Sequence, residues 1–159
     1  MEGGTTREHL WLRRLVGRWT YESQVAVQPD QPPVTLRGTE NVRPLGDLWI
    51  VMEGEGETPD GSRGSWLMAL GYDPRRGRFV GTWVGSMMPH LWLYEGTLQQ
   101  GDQVLPLETE GPAMEGERLA RYRDVIEFVA DDRWLARFEV LGDDGRWHQF
   151  QRSEFRRQE

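Results

Sequence analysis

From Thr6 the pattern of apolar positions suits a helix. Leu10, Trp11, Leu15 and Val16 make one stripe, Thr6 can cap its start, Glu8 sits in the first turn and Gly17 stops it. The pattern predicts a helix over about 6–16. After Gly17 the period changes to two: Trp19, Tyr21, Ser23, Val25 and Val27 share one face of a strand, and Thr20, Glu22, Gln24 and Ala26 the other. Pro29 to Pro33 makes the first turn. The same alternation returns over 34–43, 48–57, 64–72, 78–86, 91–99, 103–109, 118–130, 134–141 and 146–155. Between these stretches lie Pro44-Leu45-Gly46-Asp47, Pro59-Asp60-Gly61-Ser62, Asp73-Pro74-Arg75-Arg76-Gly77, Gln100-Gly101-Asp102, Glu110-Gly111-Pro112 and Gly142-Asp143-Asp144-Gly145, all rich in residues that tolerate or impose turn dihedrals.

About ten short strands in one chain must pair into two sheets or close on themselves, because closure removes exposed edges. The short connections favour an all-β fold, a single antiparallel up-and-down barrel of about ten strands with a short N-terminal helix. A Greek-key sandwich is the alternative. At 159 residues the chain suits one domain, 1–159, long enough to bury a core or close around a cavity.

Composition narrows the chemistry. Cysteine is absent, which removes disulfides, thiolate catalysis and thiolate-bound metals. All 19 basic residues are arginine, so a lysine Schiff base is also unavailable. The net charge of -7 argues against nucleic acid as a partner. No stretch approaches the roughly 18 apolar residues of a membrane span. The opening Met1-Glu2-Gly3-Gly4 lacks the basic and apolar regions of a signal peptide, so no membrane partner and a cytoplasmic location are the expectations.

Four pieces of sequence together carry a resemblance: His9-Leu10-Trp11-Leu12 with Leu15-Val16-Gly17-Arg18-Trp19; Gly71-Tyr72-Asp73-Pro74; Gly81-Thr82-Trp83 with Ser86-Met87; and Tyr122-Arg123-Asp124-Val125. In this order, from about His9 to Arg152, the chain resembles the bacterial family named domain of unknown function 1579. The resemblance implies a lipocalin-like, calycin-type barrel and no particular activity. Lipocalins and the fatty-acid-binding and nitrobindin-like barrels open similarly, with a short helix closing one end and Gly-x-Trp starting the first strand. By that likeness Trp19 plugs the closed end, with Arg152 or Arg156 lying across its ring. Where the family usually ends in a Tyr-x-Arg-like strand, this chain has Ser153-Glu154-Phe155-Arg156.

Glu40 alternates with Val34, Leu36, Gly38 and Val42, which places a carboxylate on an inward face. There it must find a partner such as Arg121 or Arg123, hold its proton, or face water in a cavity. The 118–130 stretch is ambiguous. One register sends Tyr122 and Asp124 inward, and the other sends Arg121 and Arg123, whose guanidinium forks would suit an anionic head group. Trp83, Ser86, Met87, Met88, Pro89 and His90 cluster where a strand turns at a barrel mouth, either to admit a ligand or to fill the end of a core. No metal-ligand spacing links His9, His90 and His148, and no metal or cofactor is expected from motifs. One histidine could still hold haem iron, with His148 the first candidate and His90 the second.

These residues give a reading of a barrel binding a small apolar or amphipathic molecule, with Tyr21, Glu40, Trp83, Met87, Tyr94, Arg123, Trp134 and Phe138 as ligand-binding candidates. Met52, Trp66, Met68 and Trp92 complete the expected lining. Three other readings stay open: an isomerase- or cyclase-like enzyme using inward acid–base residues, a haem-binding nitrobindin-like barrel, and a partner protein. A homodimer rests only on the frequency of twofold assemblies.

Overall fold

The computed structural model describes residues 5–27, 30–99 and 101–158; Met1 to Gly4, Pro29 of the first turn and Gln100 of another lie outside the described residues. Helix α1 spans Arg7–Arg13 and is capped by Thr6. The Thr6 hydroxyl accepts the His9 amide at 3.3 Å, while His9 Nδ1 accepts the Thr6 amide at 3.0 Å. A histidine thus closes a reciprocal cap that more often uses Glu or Gln. With Nδ1 accepting, Nε2 carries the ring proton and donates to the Tyr72 carbonyl at 3.0 Å, which ties helix to barrel. Thr6→Ala is expected to cost about 1 kcal/mol, seen as a fall of a few degrees in thermal unfolding.

Ten strands follow: β1 (Gly17–Val25), β2 (Val34–Leu45), β3 (Trp49–Glu57), β4 (Arg63–Asp73), β5 (Arg78–Gly85), β6 (Met88–Gly96), β7 (Val104–Pro112), β8 (Leu119–Ala130), β9 (Arg133–Leu141) and β10 (Trp147–Arg157). Each pairs antiparallel with its sequence neighbours, and β10 returns to β1 through Tyr21↔Phe155 and Ser23↔Ser153, closing the barrel without a crossover. The weakest seam is β6–β7, whose register consists of Glu95↔Glu108 alone. These like charges are separately neutralised, Glu95 by Arg76 and Arg78 and Glu108 by Arg121.

Several boundaries differ from the sequence pattern. The helix ends at Arg13, and the chain turns through Arg14 to Val16 before β1 begins at Gly17. Glu110-Gly111-Pro112 is the end of β7 rather than a turn: the Trp92 ring occupies the space a side chain on Gly111 would need. The turn in the methionine cluster is confined to Ser86 and Met87, with Met88, Pro89 and His90 already in β6.

Alternation sets the two surfaces. The end covered by α1 is filled: Leu15, Trp19, Phe79, Leu70, Leu105 and Leu107 have no exposed surface, and Trp11 sits edge-on to both Phe79 and Phe128. The Trp11 indole donates to the Asp102 carbonyl at 2.7 Å, pinning the helix across this end. Trp19 plugs it, but the arginine over its ring is Arg157, at 4.2 Å, and not Arg152 or Arg156. On β10 the inward set is Ser153, Phe155 and Arg157, paired with inward residues of β1, whereas Arg156 points out to Glu154. Outside, arginine–carboxylate pairs such as Arg43–Glu53 and Arg78–Glu95 cover the wall. Such exposed pairs contribute little stability each. Among the described residues no helix is long and apolar enough to cross a membrane.

Candidate functional site

Away from α1 the interior changes character. Trp66, Trp83, Phe138, Val140 and Phe150 pack on the core but are only partly buried, in contrast to the sealed residues at the helical end. The mouth half of the barrel is therefore aromatic, with several rings in reach of solvent. Its wall is built from a repeated local device. Tyr21 lies against Gly38 and Gly56, Trp66 against Gly54, Trp83 against Gly85 and Trp92 against Gly111, each ring taking the volume a Cβ would fill. A flat ring over a glycine, on its own strand as for Trp83 or on another as for Tyr21, Trp66 and Trp92, brings aromatic surface close to the backbone. Substituting those glycines would push the rings into the lumen.

Two carboxyls face this interior. Glu40 is 6% exposed; its Oε2 accepts the Trp66 indole N–H at 3.0 Å, and its Oε1 has no partner. Burial pushes its pKa up to about 7, against the opposing pull of the Trp66 hydrogen bond. Asp124, opposite Leu107 and Phe138 in the ladders, is likewise pushed up to about 7 by burial, with hydrogen bonding from Tyr94 pulling the other way. No charged neighbour contributes to either shift. Burial also raises Tyr94, and it raises Tyr21 to about 12, with the Glu40 charge adding to the latter. Both phenols are neutral at pH 7. Thr109 is buried beside this wall with its Oγ1 unpartnered, and the Tyr122 hydroxyl donates to the Pro112 carbonyl at 2.7 Å.

The sequence candidates distribute unevenly. Tyr21, Glu40, Tyr94, Trp83 and Phe138 line the lumen. Met87 is 48% exposed at the rim, its sulfur near Gly85 and its methyl near Gly64. Trp134 belongs to the filled end, stacked on Phe155 at 3.8 Å and edge-on to Trp19. Arg123 does not enter the barrel: it pairs with Glu139 at 2.7 Å and lies over Trp147 at 4.4 Å on the outer wall. Arg121 is also outside, with Glu108. In β8 the register that sends Tyr122 and Asp124 inward is the one adopted, so Glu40 gains no arginine partner. His148 sits at the rim against Asp144 at 3.0 Å; His90 stands edge-on to Trp92; His9 is spent in the helix cap. No group of three or more possible metal ligands forms among the described residues. Trp66 as the partner of Glu40, Thr109, and the ring-on-glycine wall were not read from sequence; the closest signal was Gly54-Glu55-Gly56, which puts two inward glycines on one strand.

Two recesses lie on the outside. A broad groove of about 980 Å³ crosses β1 to β5, lined by Asn41, Glu53, Glu55, Leu67 and Val84 and reaching Trp19, Glu40 and Trp66. A smaller one of about 470 Å³ follows the β6–β7 seam past Leu93, Gly96, Pro106 and Thr109. Their linings are mainly outward-facing residues, so neither is the lumen itself.

The profile of the family described as Protein of unknown function (DUF1579) matches residues 4–157. No curated protein matches the sequence. Among solved structures the chain is similar to Rv2717c from M. tuberculosis, with TM-score 0.67, 14% identity, and 98% of this chain and 100% of that one covered. It is also similar to the S-type phycobiliprotein lyase CPES from Guillardia theta, with TM-score 0.60, 17% identity, and 98% and 94% covered. A de novo designed fluorescence-activating β-barrel gives TM-score 0.51 at 17% identity, with 92% and 95% covered. At these identities the likeness is one of fold.

Proposed function

We propose that this chain, which belongs to the DUF1579 family, binds a small, largely apolar molecule in the mouth half of its barrel. The observation supporting this reading is the contrast between the barrel's two ends: sealed aliphatic and aromatic packing under α1, and half-buried aromatic rings toward the mouth, with the buried Glu40 and the part-buried Asp124 at the level between them. Apolar rings with a few polar groups are the usual lining of a small-molecule site. Tyr21, Trp66, Trp83 and Phe138 supply the contact surface, Met87 flanks the entrance, and Glu40 and Asp124 are the polar groups that would orient one end.

The neutral fluorophore N-phenyl-1-naphthylamine tests this reading. It is expected to brighten on binding, with Trp83→Ala weakening its affinity by about tenfold, since truncating a central tryptophan commonly costs upward of 1–2 kcal/mol of binding. Leu67→Glu, in the outer groove, is expected to leave it unchanged. Absence of binding, or binding lost in Leu67→Glu and kept in Trp83→Ala, would overturn a lumenal site.

The raised carboxyls favour one second reading, general acid–base chemistry on the bound molecule, because a group titrating near neutrality can give or take a proton at working pH. Turnover following one ionisation near pH 7 and lost in Glu40→Gln would establish it. A Soret band in purified protein would instead favour haem, with His90 and His148 at the rim as the groups to substitute.

A further inference from the structure

We propose that the molecule bound in the barrel is an organic cation, an apolar body carrying a protonated amine, whose nitrogen docks on Glu40 beside the rings of Tyr21 and Trp66. This rests on the lumenal-binding reading above and adds the charge of the ligand to it.

Three independent features support the choice. Glu40 is buried on the inward face of β2, with one oxygen held by the Trp66 indole and the other without a partner. A buried acceptor left unsatisfied costs free energy that a ligand donor would recover, and an ammonium donor recovers most because the acceptor is a carboxylate. The rings of Tyr21 and Trp66, in contact with each other at 5.7 Å between centroids, put aromatic surface beside that carboxyl for the apolar body of such a ligand. And among the described residues the lumen holds no counter-charge for Glu40: the β8 arginines pair with carboxylates outside, while Arg157 is spent on the carbonyls of Arg14, Val16 and Asp131 behind Trp19. An anionic head group, as of a fatty acid, would enter an interior that already holds two acids and no free base.

The groups facing Glu40 fix the sign of the pH response. From β1 come Trp19 and the neutral Tyr21; from β3, Gly54; from β4, Trp66; Asp124 with Tyr94 lies on the β6–β8 wall. Arg63 and Glu57, at the mouth, act on Tyr21 with opposite signs. Glu40 is thus the group whose ionisation sets attraction for an amine, and that attraction grows as pH rises through about 7.

The test uses three dansyl probes of matched length: dansylcadaverine, which carries a primary amine; its N-acetyl derivative, which is neutral; and dansyl-6-aminohexanoic acid, which is anionic. At pH 8 the amine is expected to bind about tenfold or more tighter than the acetylated probe, the scale of a hydrogen bond to a charged group, and the acid weakest. At pH 5.5 the amine's advantage should largely vanish, since the amine stays protonated while Glu40 does not stay ionised. Glu40→Gln keeps the shape and the Trp66 contact, and should abolish the amine's advantage at pH 8 while leaving the neutral probe unchanged. Equal binding of amine and acetylated probes at pH 8, or an advantage independent of pH, overturns the cation assignment and leaves lumenal binding standing. Failure of all three probes to bind overturns both. If Glu40→Gln does not fold, Asp124→Asn separates the two carboxyls: an amine advantage at pH 8 kept in Asp124→Asn assigns it to Glu40, and one lost there overturns that assignment.

Discussion

Raising the pH from 5 to 8 is expected to destabilise this protein by several kcal/mol. Glu40 and Asp124 hold their protons to about pH 7 in the folded barrel, against ordinary values of 4.5 and 3.8. Below those ordinary values both folded and unfolded chains are protonated at these sites, and the fold loses nothing. As pH rises past them the unfolded chain releases protons that the folded chain keeps, so stability falls until about pH 7 and then levels off. Each carboxyl contributes on the order of 2–4 kcal/mol to that fall, because every tenfold difference in proton affinity between folded and unfolded chains is worth about 1.4 kcal/mol. Asp60, lowered to about 2 by hydrogen bonds from Ser62 and Thr58, and Glu95, lowered chiefly by its hydrogen bond from Arg78, act in the opposite sense. Their window lies below the ordinary carboxylate values, so they do not mask the change between pH 5 and 8. Urea midpoints at the two pH values measure the effect. Glu40→Gln and Asp124→Asn should each raise the midpoint at pH 8, and the double variant should flatten most of the dependence. A wild-type midpoint equal or higher at pH 8 would mean that water reaches these carboxyls freely, and the account of a dry acidic interior would be wrong.

That interior was legible in the sequence where alternation was clean. Strand β2 reads Val34, Leu36, Gly38, Glu40, Val42 on one face and polar residues on the other, so a single charge among apolar neighbours stood out. Strand β8 was not legible, because both its faces are mixed. Val125 is buried although it shares a face with Arg121 and Arg123, and the inward face carries Asp124 among Tyr122, Ile126 and Phe128. Only the pairing with β7 and β9 decides between the two registers. A different obstacle moved the arginine over Trp19. The register of β10 with β9 shifts between Gln149 and Gln151, so His148 and Ser153 both lie opposite inward positions although their numbers differ in parity. Counting by twos from His148 would turn Arg152 and Arg156 inward; the bulge turns Arg157 inward instead. The ring-on-glycine wall was hidden for a related reason. Gly54 matters because Trp66 is its ladder partner, and Gly111 because Trp92 lies against it, and cross-strand neighbours are set by register rather than by local pattern.

Trp19→Ala is the substitution expected to cost the most stability, and it separates the end that holds the barrel together from the end that binds. The Trp19 side chain is fully buried, its indole N–H donates to the Leu15 carbonyl at 2.8 Å, its ring meets Trp134 edge-on, and Arg157 covers it. Removing it empties a sealed site whose walls come from α1's C-terminal turn and from β1, β9 and β10, elements that cannot collapse inward together. The cost of such a deletion is about 3–5 kcal/mol, or a fall in Tm on the order of 10 °C for a chain of this size. Trp83→Ala removes the same side chain from a half-buried position near the mouth, where water can enter the space left, so its cost should stay within about 1–2 kcal/mol. Thermal unfolding is expected to show Trp19→Ala far less stable than wild type and Trp83→Ala nearly as stable, with Trp83→Ala impaired in the neutral-probe titration; Trp19, the ladder partner of Glu40, is read by stability alone. If Trp19→Ala unfolds within about 1 kcal/mol of wild type, the helical end is not the sealed core described here. If Trp83→Ala loses as much stability as Trp19→Ala, the barrel has one continuous core, and the mouth is not a separate site.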